Sequence, residues 1–258
     1  MNNIIDLTFW QILLAYIFVL IVLFFVHKRG LKREKEIVIS SLRMTLQLIL
    51  TGYVLVAIFS YPNPLLTGVM ILLMEIFAIG TILRKFKGKV TSKLRKIIAV
   101  SMFFGTFSCL IYFLFIVVRI SPWYDPRYFI PIAGMLIGNS MTGISLGVKS
   151  LSEGIETQRN LIEEALILGA TPQMAMREII NRTFDAAIMP TIQSMMGMGI
   201  VFLPGMMTGQ ILSGTLPTTA IAYQIAIMLG ILGAVSVSVM IMLQLGYRTY
   251  FNEEDQLL

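Results

Sequence analysis

Pro64-Leu-Leu-Thr-Gly-Val-Met-Ile-Leu-Leu-Met-Glu75-Ile-Phe-Ala-Ile-Gly-Thr-Ile-Leu83 is a run of 20 residues with a single charge. As a helix it spans about 30 Å, the thickness of a bilayer's hydrocarbon core. A proline turn, Tyr61-Pro62-Asn63-Pro64, opens it, and Arg84 and Lys85 close it. Comparable apolar blocks predict seven spans, at 5–26, 38–60, 64–83, 97–118, 129–148, 186–212 and 220–246. The chain is 57% hydrophobic and 13% charged. That is about half the charged share of a soluble domain. The expected fold is an all-α polytopic membrane protein, with residues 1–258 forming one transmembrane domain.

The loops orient it. Residues 27–35 hold Lys28, Arg29, Lys32, Arg33 and Lys35, and residues 84–96 hold seven Lys or Arg. Basic residues mark cytoplasmic loops. An N-terminus outside and a C-terminus inside leave only Arg119 and Arg127, of 20 Lys and Arg, on the outer side. Trp123, Tyr124 and Tyr128 then fall in the outer aromatic belt. The first apolar block has its basic cluster after it, the reverse of a signal peptide, and reads as a retained span. The net charge of +6 is thus topological and does not point to nucleic acid. The lone Cys109, inside an apolar block, reads as a small hydrophobe.

One long amphipathic segment, residues 149–185, separates the fifth and sixth spans. From 156 to 168, Leu161, Ile162, Ala165, Leu166 and Leu168 share one expected helical face. Glu156, Arg159, Asn160, Glu163 and Glu164 share the other. Gly169 suits a left-handed helix end, Thr171 an N-cap and Pro172 a first helical position. A second helix follows, with Met176, Ile179, Ile180 and Phe184 on one side. The segment therefore predicts a cytoplasmic helical hairpin over about 152–184. Its near-balanced charge excludes DNA binding, which needs a basic face.

The spacing Glu163-x-Ala165-x-x-x-Gly169 resembles the "EAA" coupling loop of ABC-transporter membrane subunits. It departs from that loop in carrying Glu164 where alanine is usual, and in placing Met189-Pro190 later than the usual Leu-Pro. Across residues 30–252 the resemblance is broader. Pro131-Ile-Ala-Gly134-Met-Leu-Ile-Gly138-Asn139, then Leu168-Gly-Ala-Thr-Pro172, then Leu203-Pro-Gly-Met-Met-Thr-Gly209 occur in order. Together they resemble the FetB-type iron-export permease family, which includes plant aluminium-tolerance permeases. The resemblance implies a cell-membrane permease of two copies working with two copies of a separate ATP-binding subunit. Glu163, Glu164, Ala165, Gly169, Ala170, Thr171 and Pro172 would meet that partner. ATP and Mg would sit on the partner, with no cofactor on this chain. Iron is implied less directly than the ABC assignment.

A phosphate loop needs G-x-x-x-x-G-K-[ST] after a strand. The nearest run, Gly143-Ile-Ser-Leu-Gly-Val148-Lys149-Ser150, has valine where the second glycine belongs and reads as the inner end of a span. The chain is expected to be a transport component and not itself an enzyme.

Candidate pathway residues are Glu75, Asn139, Gln193, Pro204, Gly205, Met206 and Met207. Glu75 is an acid at the centre of a span, a place where a carboxylate costs about 2.5–3.5 kcal/mol, so it is either functional or a structural acid, protonated or paired. Asn139 should face protein or a cavity. Pro190, Gly197, Gly199 and Pro204-Gly205 interrupt the sixth span, either as a break lining a pathway or as an outer turn. Gly134, Gly138, Gly143 and Gly147 are small residues for close helix packing or a dimer seam. The 18 methionines suit packing more than metal ligation. An ion-coupled carrier or channel using Glu75 is the competing reading.

Overall fold

The computed structural model describes residues 6–88 and 90–258. Among them the regular structure is helical, with two isolated β-bridges, Met198 to Phe202 and Phe251 to Leu257. Six helices are long and apolar enough to cross a membrane. Contacts divide the chain into two units, one of residues through Tyr61 with Leu212–Gly214, the other of the remainder.

The first unit contains α1 (Phe9–Ala15), α2 (Ile17–Lys28) and α3 (Glu34–Ser60). No residue of α1 or α2 is buried, and Trp10, Phe18 and Phe24 stand exposed. Helices apolar all round are suited to lipid, not water. The Tyr16 hydroxyl meets Thr45 Oγ1, joining the first apolar helix to α3.

The second unit holds α4 (Pro64–Lys85), α5 (Ser92–Tyr112) with a π-helical extension Phe113–Val118, α6 (Pro126–Thr157), α7 (Arg159–Ile167), α8 (Pro172–Ala175), α9 (Arg177–Gly197), α10 (Gly205–Leu212) and α11 (Pro217–Gly246). Asn63, Thr91 and Asp125 accept from the first-turn amides of α4, α5 and α6, each cap contributing about 1 kcal/mol. Ile98, Met102, Leu136, Ile144, Val235 and Val239 are fully buried in one core.

Antiparallel α5 and α11 make the tightest crossing. A Cβ built on Gly105 would lie 2.2 Å from Ser238 Oγ and 2.6 Å from Ser238 Cα. Further along, one on Gly230 would lie 2.9 Å from Phe113. Small residues at the contact let the backbones meet, and dispersion between close-packed atoms holds them.

Several expected boundaries move. The fifth span runs on as α6 through Thr157, so residues 152–157 belong to that helix and not to a hairpin arm. Gln158 leaves helical geometry (φ −109°, ψ 22°) before α7 begins. The span expected at 186–212, already marked as interrupted, is two helices with an irregular segment between them. Pro190 does not interrupt α9, because packing tolerates one missing amide bond. The break comes after Gly197: Met198 is extended, Gly199 takes φ +85°, and Phe202 folds back within 3.2 Å of where a Gly197 Cβ would stand. Met198 Sδ accepts from Gln224 Nε2 at 3.7 Å. Gln224 lies seven residues into α11, about 10 Å from that helix's start. The break at Met198 therefore lies level with the interior of α11, not beyond its end.

The C-terminal tail is built onto the bundle. Asn252 Oδ1 accepts from the Glu254 and Gln256 amides, and the Tyr250 hydroxyl meets Ser152 Oγ at 3.0 Å. Tyr250→Phe removes that last bond, worth about 1 kcal/mol. The expected result is roughly fivefold faster proteolytic clipping of residues 252–258 with the bundle intact. Unchanged clipping would show that the bond does not hold the tail.

Candidate functional site

The hairpin turn is specified by its own sequence. Gly169 takes φ +88°, where a side chain is strained. Its amide donates to the Leu166 carbonyl at 3.0 Å, and the Ala170 amide donates to the Ala165 carbonyl at 2.9 Å. This pair of bonds is the Schellman ending of a helix. Two residues later the Met174 amide donates to Thr171 Oγ1 at 3.3 Å, with Pro172 opening α8. The Arg159 guanidinium donates to Glu163 Oε1 at 2.9 Å, and Arg182 pairs with Glu178 along α9.

Ile162, Met176 and Ile179 anchor the hairpin in the core. The expected inward face is only partly inward. Leu161 and Leu168 point out with Ile167 and Met174, and Leu168 is 87% exposed. The break at Gln158 shortens α7 to nine residues, so one anchor, Ile162, and the half-buried Leu166 fill its inner side. The result is a rigid turn with an apolar tip. Beside it a hollow of about 810 Å³ lies against the tail, lined by Thr171, Gln173, Lys93, Arg248, Glu253 and Asp255. The tail's share in this surface was not expected, since residues 248–258 read only as polar.

The candidate pathway residues are not gathered in one place. Glu75 is buried and faces a cavity of about 330 Å³ between α4, α5 and α6. None of Asn139, Gln193, Pro204, Gly205, Met206 or Met207 lines that cavity. Asn139 and Gln193 are exposed on α6 and α9. The Asn139 amide donates back to the Met135 carbonyl at 2.7 Å on its own helix. Pro204 and Met206 are half-buried, Gly205 is exposed and Met207 is buried. Among the described residues no three His, Cys, Asp or Glu side chains converge as a metal site.

The glycine stripe of α6 also serves several neighbours. Gly134 faces Met74 of α4, Gly143 faces Val235 of α11, and Gly147 faces Met242. Nothing lies within 4 Å of a Cβ built on Gly138. The closest glycine contact, Gly105 on Ser238, was missed. Its signal is Ala222, Ala226, Gly230, Ala234 and Ser238, small residues at four-residue steps along α11. The run 143–150 lies within α6, so it is helix and not a phosphate-binding loop.

Six long apolar helices, in a chain whose relatives are named as membrane proteins, define a multi-pass protein of the cell membrane. The chain belongs to the family described as "Uncharacterised protein family (UPF0014)", which matches residues 9–251. It is 36% identical over 231 residues to a UPF0014 membrane protein of Synechocystis, covering 89% of this chain and 88% of that one. It is 34% identical over 252 residues to the "Probable iron export permease protein FetB" of Escherichia coli, covering 98% and 95%. It is 33% identical over 244 residues to "Protein ALUMINUM SENSITIVE 3" of Arabidopsis thaliana, covering 94% and 87%. No solved structure matches the chain.

Proposed function

We propose that this chain is the permease subunit of an ABC transporter that exports a metal ion, iron-like, using ATP hydrolysed by a separate subunit. The observation that carries this is the capped hairpin at 163–172, a turn whose apolar tip is left exposed among the described residues. Near-full-length similarity to a protein named as an iron export permease supports the transport class. In this reading the basic loops and the hairpin lie in the cytoplasm. Two copies of the chain meet two ATP-binding subunits through Glu163, Glu164, Ala165, Gly169, Ala170, Thr171 and Pro172. ATP and Mg stay on those subunits.

Asn139, Gln193 and the segment 204–207 are the proposed pathway, since they bring polar groups and broken backbone to α6, α9 and α10. Glu75 stands on a different wall. A tagged chain purified in mild detergent tests the partner: a co-purifying ATP-binding subunit is the expected result. Flux by the lone chain, driven by an ion gradient and lost in Glu75→Gln, would favour a secondary carrier instead.

A further inference from the structure

The cavity at Glu75 has a composition unlike a metal pathway. Glu75 is 5% exposed and has no ion-pair partner among the described residues. Its side-chain hydrogen-bond partner among the described residues is Thr106 Oγ1, at 3.2 and 3.3 Å from the two carboxylate oxygens. That hydroxyl also lies 2.8 Å from the Met102 carbonyl. A hydroxyl has a single proton, so Thr106 shares one donor between that carbonyl and the Glu75 oxygens. Glu75 thus has one shared neutral donor and no ion pair among the described residues, an environment in which the ionised form is costly unless a cation joins it.

The rest of the cavity is aromatic and aliphatic. Phe103 and Phe107, one turn apart on α5, stack with centroids 5.4 Å apart and planes 11° from parallel. At the other end Trp123 meets Tyr124 edge to face, at 5.6 Å and 83°. The Tyr124 carbonyl accepts from Thr67 at 3.3 Å, fixing this mouth to the first turn of α4. From Pro64 at the mouth to Glu75 is eleven residues of helix, about 16 Å. The volume, about 330 Å³, is that of a small-molecule site.

A hard metal ion does not suit these walls. Such ions take about six or more oxygen ligands, and at its deep end this cavity offers one carboxylate and one hydroxyl. A lipophilic monocation does suit them. Its spread charge is weakly hydrated, it neutralises a single carboxylate, and aromatic faces attract it. Its apolar body fills the remaining space.

We propose that this cavity binds an organic monocation of the arylalkylammonium class. The ammonium lies against Glu75 and the body between Phe103, Phe107 and the Trp123 mouth. The site is independent of the ATPase partnership and is tested without it. The probe is benzyltrimethylammonium, compared with its neutral carbon isostere neopentylbenzene, by saturation-transfer NMR on the full chain in a choline-free maltoside detergent. Differences between wild type and variants cancel partition into the micelle.

The expected result is that wild type prefers the cation and that Glu75→Gln weakens its binding at least tenfold. Phe107→Ala should weaken it several-fold, which decides the matter if Glu75→Gln does not fold. Glu153→Gln, an exposed acid on α6, should leave it unchanged. Added phosphatidylcholine displaces the probe if the ammonium comes from a lipid headgroup and leaves it bound if a free cation is the occupant. Equal binding by wild type and Glu75→Gln, equal or better binding of the isostere by wild type, or no wild-type binding overturns the proposal.

Discussion

A chain carrying Gly169→Pro is expected to insert and fold, yet to lose its ATP-binding partner and its ATP-driven flux. Proline fixes φ near −65°, whereas Gly169 sits at +88°. It also deletes the amide that donates to Leu166. The Schellman ending must open, and α7 is then free to turn relative to the Thr171 cap. The core should be spared, since nothing lies within 4 Å of a Cβ at this position. Co-purification of the ATP-binding subunit should fall tenfold or more. Gly169→Asn is the matched control, because asparagine tolerates left-handed backbone and should stay near wild type. Normal ATP-stimulated flux by Gly169→Pro would remove the hairpin from coupling.

Gly105→Leu is expected to abolish the folded bundle. Even alanine there would bring its Cβ to 2.6 Å from a backbone atom, Ser238 Cα, on the facing helix. Overpacking of one methyl in such a site costs about 1–3 kcal/mol. Leucine adds three more carbons to the same contact, and α5 and α11 would have to separate along the Gly230 and Phe113 crossing as well. The measurement is the monodisperse fraction on size exclusion in detergent, with thermal unfolding of the Gly105→Ala chain as the graded case. Ser238→Gly should recover part of the Gly105→Ala loss by removing the nearest side chain, a coupling that a double-mutant cycle detects. A wild-type yield of Gly105→Leu would show that the helices do not approach so closely.

The membrane character and most helices were readable because a bilayer demands long apolar runs, and those runs are plain in the chain. The turn chemistry was readable for a similar reason. Gly169, Thr171 and Pro172 each have one local conformation that suits them, and each adopts it. Depth and partnership were not readable. Asn139 announces a polar group in an apolar span, but its bond to the Met135 carbonyl on its own helix was not readable as its partner. Glu75 was visible as a buried acid, yet its neighbours Thr106, Phe103 and Phe107 lie some thirty residues away and meet it only in the packed bundle. The interruption of the sixth span was readable from Gly197, Gly199 and Pro204-Gly205, but its geometry was not: it depends on Gly199 entering φ +85° and on Phe202 folding over Gly197. The tail beside the hairpin was missed because its anchors, the Tyr250 to Ser152 bond and the buried Phe251, form only in the packed bundle.

The proposed permease is expected to move a metal ion only when a separate subunit hydrolyses ATP. Proteoliposomes containing the chain and its ATP-binding subunit, with those subunits facing the bath, measure this directly. Iron and other metal ions are offered outside, and accumulation inside is followed with and without Mg-ATP. Accumulation that requires both subunits and ATP, with iron among the ions carried, is the predicted result. Equal flux from the chain alone, driven by an ion gradient and indifferent to ATP, would contradict it.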